Sequence, residues 1–121
     1  MRKTVILGAS PNTNRYAYFA AERLEQNGYD FVPIGIRKGE VLGKAILDLK
    51  SKPQVLAVDT VTLYIGSNHQ AEWEDYVISL QPRRVIFNPG TENPDFASKL
   101  RLKGIAAEEA CTLVMLASKN Y

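Results

Sequence analysis

The sequence predicts a single α/β domain over residues 1–121, of the Rossmann-like, doubly wound class: a mostly parallel five-stranded sheet with helices on both faces. Three observations predict it. Extended runs rich in β-branched residues alternate with segments whose apolar residues recur at helical spacing. The first run, Thr4-Val5-Ile6-Leu7, is β-branched or apolar throughout, as in a strand buried on both faces. Gly, Pro and Asn punctuate the changes from one kind of segment to the other. Parallel neighbours need long crossovers, and right-handed connections place the helices on both faces.

The elements follow in order. Thr4-Val5-Ile6-Leu7 is strand one. Beyond the turn Gly8-Ala9-Ser10-Pro11-Asn12-Thr13-Asn14, the residues Ala17, Ala20, Ala21 and Leu24 recur at helical spacing and Asn27-Gly28 supplies a left-handed stop, so helix one runs from Asn14 to Asn27. Phe31-Val32-Pro33-Ile34 reads as strand two, closed by Gly35; Arg37 to Gly43 reads as a loop, and the stretch from Ala45 to Pro53 fits no single element. Val55 to Ile65 holds strand three, best defined at Thr60-Val61-Thr62-Leu63-Tyr64. Ser67 with Gln70 fits a capping box ahead of the stripe Trp73, Tyr76, Val77 and Leu80, which predicts a helix directly after strand three. Arg84-Val85-Ile86-Phe87 is strand four. Asn93 as cap, Pro94 at the first helical position and Gly104 as stop bound the next helix. A short strand from Ile105 to Ala107 and a helix from Glu109 to Lys119 complete the order β-α-β-β-α-β-α-β-α, with the crossover between strands two and three unresolved.

Composition narrows the chemistry. Of 121 residues, 45% are hydrophobic and 23% charged, which suits one packed core rather than a disordered or membrane chain. Cys111 and His69 are the sole residues of their kinds, so neither a disulfide framework nor a Cys- or His-rich metal site is expected. The net charge of +2 is scattered, which argues against a nucleic-acid partner. No apolar run has the length of a secretory signal or a membrane span; the expected location is the cytoplasm, away from membranes.

In doubly wound sheets ligands collect outside the carboxyl ends of the strands, where the strand order reverses. The turn after strand one offers Gly8, Ser10 and Asn14 beside a helix N-terminus, with Arg15 and Tyr16 in the next turn; it suits a diphosphate or is an ordinary capped turn. It lacks the G-x-G-x-x-G of dinucleotide enzymes. After strand two, where an NAD site wants an acidic residue, stand Gly35-Ile36-Arg37-Lys38. Two cations there suit a ribose phosphate, as in NADP or coenzyme A, or form a solvated basic loop. Tyr64 is either an aromatic wall for a ligand or a core residue, and Asn88-Pro89-Gly90 is a turn that lets backbone approach a ligand closely.

Together these turns resemble those of the small bacterial CoA-binding proteins, stand-alone relatives of the CoA-binding domain of the succinyl-CoA synthetase alpha subunit. The resemblance spans nearly the whole chain. It rests on Val5-Ile6-Leu7-Gly8-Ala9-Ser10-Pro11, Arg15-Tyr16, Gly28-Tyr29, Pro33, Gly43, Asn88-Pro89-Gly90 and Cys111, in that order. It implies coenzyme A or an acyl-CoA across the strand ends, the diphosphate near Gly8 to Tyr16 and the adenosine near strands two and three. Gly35-Ile36 stands where the family usually has Asn-Pro, and Ile65-Gly66 where it often has Arg-Pro after an aromatic residue. A family phosphate contact is therefore missing here or moved to Arg37 or Lys38.

Catalytic machinery is not evident. One histidine builds no Ser/His/Asp group, and His69 reads as a surface or capping residue. Glu72, Glu74 and Asp75 suit the start of a helix, as do Glu108-Glu109 before Cys111, and Cys111 reads as a small packing residue rather than a reactive thiol. The synthetases take their catalytic histidine from a domain absent here. The expectation is a non-catalytic binder of a small nucleotide ligand, with Gly8, Ser10, Asn14, Arg15 and Tyr16 for phosphate and Gly35, Arg37, Tyr64 and Pro89 around the rest. Two rivals stay open, an NADP-dependent oxidoreductase and a ligand-free interaction module, and so does assembly with a second copy or another protein.

Overall fold

In the computed structural model, which describes residues 3–121, β1 (Lys3–Leu7) leads through α1 (Tyr16–Gln26) to β2 (Asp30–Gly35). A hairpin of β3 (Glu40–Val41) and β4 (Lys44–Ala45), a two-residue β5 (Leu47–Asp48) and a 3-10 turn over Leu49–Ser51 then cross to β6 (Val58–Leu63). Two further 3-10 turns precede α2 (Glu74–Ser79), after which come β7 (Arg84–Phe87), α3 (Pro94–Leu102), β8 (Ala106–Glu109) and α4 (Thr112–Ala117). The main sheet is parallel throughout, in the order β5-β2-β1-β6-β7-β8.

Strand periodicity divides the core between two faces. Val5 and Leu7 of β1 join Val61, Leu63, Val85 and Phe87 beneath α2 and α3, which contribute Tyr76, Val77, Phe96, Ala97 and Leu100. Ile6 points the other way, among Ala17, Ala21 and Leu24 of α1, Phe31, Val41 and Leu116 of α4. Phe31, Phe87 and Phe96 are fully buried, each contributing about 2 kcal/mol of apolar burial. The α4 face also holds a polar layer: Thr62 Oγ1 meets Thr112 Oγ1 at 2.8 Å, and Arg84 Nε donates to Thr60 Oγ1 at 2.9 Å beneath the Tyr121 ring.

Several boundaries differ from those the sequence predicts. The sheet has six strands rather than five, because the unresolved crossover adds β5 along the edge of β2. That crossover carries no α-helix. Instead, the predicted loop from Arg37 to Gly43 folds into the hairpin around Leu42 and Gly43, at φ 51° and 83°. Lys44 docks the hairpin, its Nζ 2.9 Å from Asp30 Oδ1 and 4.1 Å above the Phe31 ring. Helix α1 begins at Tyr16 rather than Asn14, since the Asn14 N–H donates to Asn12 Oδ1 and the Arg15 N–H to the Asn12 carbonyl, closing a separate turn. No capping box forms at Ser67: the Gln70 side chain is drawn into the interior, and Ser67–His69 and Ala71–Trp73 are 3-10 turns ahead of a short α2. Glu108 and Glu109 belong to β8, in register with Ile86 and Phe87, so α4 starts only at Thr112.

The remaining boundaries stand close to expectation. Strand β7 matches residue for residue, and Asn93 Oδ1 accepts from the Phe96 N–H at 3.1 Å as the cap of α3, with Gly104 at φ +78° closing it. No helix among the described residues is long and apolar enough to cross a membrane.

Candidate functional site

From β1 the chain pairs first with β2 on one side and later with β6 on the other, so the turns leaving these strands diverge and open a crevice at their carboxyl ends. Gly8 makes that geometry. It sits at φ +96°, and a Cβ there would lie 3.0 Å from the carbonyl carbon and oxygen of Tyr64 and 3.1 Å from Ile65 Cγ1. The N–H groups of Gly8 and Ala9 both donate to the Ile34 carbonyl, at 2.9 and 3.0 Å, which ties the turn to β2. Those two amides are therefore spent on the fold. The anion-seeking groups are the N–H groups of Tyr16 and Ala17, which precede the first bond of α1, from the Tyr18 N–H to the Arg15 carbonyl at 3.0 Å, and which receive no side-chain cap.

Above this turn lies a cleft of about 1090 Å³. Its centre is formed by Gly8, Ala9, Ser10, Arg15, Tyr16 and Ala17; Ile36, Arg37, Leu49 and Lys50 close it on the β2 side. Tyr64, Ile65 and Gly66 after β6, His69, Glu72 and Trp73 from the 3-10 turns, and Pro89, Gly90 and Thr91 after β7 close the other side. Of the residues singled out from sequence, Gly8, Ser10, Arg15, Tyr16, Arg37, Tyr64 and Pro89 come together here. Asn14 is exposed and does not line the cleft. Gly35 is buried: a Cβ on it would meet the Ala9 carbonyl oxygen at 2.4 Å, so it serves the contact between β2 and the turn, and it borders a smaller hollow of about 160 Å³ shared with Arg37, Lys38 and Lys50.

The wall on the β7 side is held by two buried amide side chains. Gln70 Nε2 donates to the Ile65 and Thr91 carbonyls, both at 2.8 Å, while its Oε1 accepts from Asn93 Nδ2 at 2.9 Å. Asn88 Nδ2 donates to Thr62 Oγ1 at 2.7 Å and the Leu63 carbonyl at 2.9 Å, and Asn88 Oδ1 accepts from the Thr112 N–H at 2.9 Å. Tyr64 both packs against the α1 face of the core and lines the cleft; burial pushes its phenol up to about 12 against the weaker pull of bonds to Thr62 and Thr112, so at neutral pH it presents an uncharged hydroxyl. Cys111 is half-buried at the N-cap of α4 and does not line the cleft. Among the described residues no group of three or more His, Cys, Asp or Glu side chains is placed to hold a metal.

The family model for the CoA binding domain matches residues 2–117. The chain belongs to the CoA-binding-domain family. A crystal structure of an uncharacterized protein is 53% identical to this CoA-binding domain, with a TM-score of 0.96 and coverage of 100% of this chain and 98% of the other. Cell-free ID.343 from Thermus thermophilus shares the fold at 19% identity, TM-score 0.83, covering 99% and 90% of the two chains. A hypothetical protein from Pyrococcus horikoshii OT3 is similar at 25% identity, TM-score 0.80, over 97% and 82%. No curated protein matches the sequence.

Sequence reasoning passed over several cleft residues of this CoA-binding domain. Lys50 lies in the crossover that the sequence leaves unresolved, and in the sequence reading His69 is a surface or capping residue, Glu72 an acid suited to a helix start and Trp73 part of the apolar stripe of that helix. A glutamine between His69 and Ala71 gives no local sign that its partners lie on another turn; Asn88, directly after the apolar run of β7, carries the clearer hint of burial.

Proposed function

We propose that this domain binds coenzyme A or an acyl-CoA across the carboxyl ends of β1, β2, β6 and β7, holding the ligand rather than transforming it. The observation that carries the reading is the cleft at the reversal of strand order, where the uncapped start of α1 and three cations, Arg15, Arg37 and Lys50, line one continuous space. Helix N–H groups and a nearby guanidinium favour a diphosphate. Ser10, Arg15 and Tyr16 line the cleft beside that helix start, with Gly8 giving the close approach of the backbone; Asn14, outside the lining, has no part in the contact. Arg37 and Lys50 suit the ribose phosphate, beside the floor that Gly35 allows, while Tyr64 and Pro89 form walls for the uncharged arm.

NADP also carries a ribose phosphate, and the cations after β2 favour it equally, so it is the essential control. The ligand-free alternative predicts an occluded cleft, and a volume of about 1090 Å³ speaks against it. Calorimetric titration with CoA, acetyl-CoA and NADP tests the proposal. The expected result is saturable CoA binding, tighter than NADP and weakened by salt. Absence of CoA binding at millimolar ligand, or a preference for NADP, would overturn it.

A further inference from the structure

The charges lining the cleft are sorted by position. Neighbouring strands stand close to 4.8 Å apart, so the four turns after β2, β1, β6 and β7 span roughly 14 Å in a line. Arg37 and Lys50 lie at the β2 end and Arg15 in the middle; toward β7 the lining residue of fixed charge is Glu72. The Gly90 N–H, which the β7 turn brings to the cleft, donates to Glu92 Oε1 at 2.8 Å, so that amide already serves a carboxylate. Lys99, which α3 turns toward α2, is held by Glu74 at 3.4 Å and Asp75 at 3.0 Å. The remaining surface at this end is Ile65, Trp73 and Pro89 with the imidazole of His69.

Resting on the CoA reading above, we infer that the site selects acyl-CoAs with an uncharged acyl group and disfavours those ending in a carboxylate, with Glu72 as the discriminating residue. Phosphates drawn to the β2 end and the start of α1 leave the pantetheine arm to run toward β7. A neutral acyl chain then meets Trp73 and Ile65. An acyl carboxylate instead meets Glu72, with the Gly90 amide already taken and no guanidinium or ammonium among the lining residues of that end. Glu72 is exposed, so the repulsion is partly screened and the effect is one of preference.

The test compares CoA, butyryl-CoA and succinyl-CoA by calorimetry at low salt and pH 8. Succinyl-CoA is expected to bind about fivefold more weakly than butyryl-CoA, and the ratio to fall to about two in Glu72→Gln and again on adding salt. Equal or tighter binding of succinyl-CoA overturns the inference and leaves the CoA reading intact. An unchanged ratio in Glu72→Gln overturns the role of Glu72. Failure of all three ligands to bind defeats the CoA reading itself, and this inference falls with it.

Discussion

Where β2 meets the turn after β1, backbone lies on backbone; where β6 meets β7, two buried amide side chains hold the turns together. On the first side Gly8 and Ala9 both donate to Ile34, and Gly35 leaves the Ala9 carbonyl no room for a methyl group. On the second, Gln70 reaches the turn after β6, the turn after β7 and the cap of α3, while Asn88 binds β6 to the start of α4. The contrast teaches that one wall of the cleft tolerates no addition and the other no deletion. It also separates the chemistry: the side built from backbone contacts leaves its charged side chains, Arg37 and Lys50, exposed at the surface, and the clamped side offers apolar and acidic groups.

Adding one methyl group should have the largest effect. Gly35→Ala puts a Cβ 2.4 Å from backbone that is itself hydrogen-bonded to β2, and the expected loss is about 3 kcal/mol or more. Urea unfolding measures it; a midpoint equal to that of the parent protein would show that β2 and the turn are not in rigid contact. The complementary deletion on the other wall is Gln70→Leu, which leaves the Ile65 and Thr91 carbonyls and the Asn93 amide without their partner at a cost of about 2 kcal/mol. CoA affinity should fall with it, as the turns after β6 and β7 separate. An unfolding midpoint and an affinity both unchanged would reduce Gln70 to a filler.

The same contrast explains what the sequence made legible. The turn after β1 was readable because its demands are local: a glycine needed at positive φ, a helix start and an arginine lie within nine residues, Gly8 to Tyr16. The α3 helix was readable from Asn93-Pro94 and Gly104 for the same reason. Strand β5 was not, since two residues become a strand only when β2 offers them an edge, and Leu42 at φ 51° hides a hairpin behind a residue that does not mark turns. The clamped wall was least legible. Gln70 and Thr91 are 21 residues apart, and the pair has no periodicity to betray it. The family resemblance named the ligand class, yet the acidic end of the cleft is visible only once the 3-10 turns have placed Glu72 and Trp73.

Tyr64 stands at the seam between the two walls and gives the smallest effect. Burial holds its phenol at about 12 in the folded protein, against about 10 when unfolded. Below pH 10 both states keep the proton and the contribution is fully present; between 10 and 12 the unfolded chain ionises first, so stability falls as pH rises through that window. Tyr76, also raised to about 12 by burial, adds to the same loss. Tyr64→Phe should therefore unfold less steeply with pH than the parent, the difference reaching about 1 kcal/mol at pH 11. Parallel curves for the two proteins, or a high-pH phenol titration by ultraviolet absorbance that Tyr64→Phe leaves unchanged near 12, would mean that water reaches Tyr64 through an open seam and that the two walls are less tightly joined than the contacts at Gly8 require.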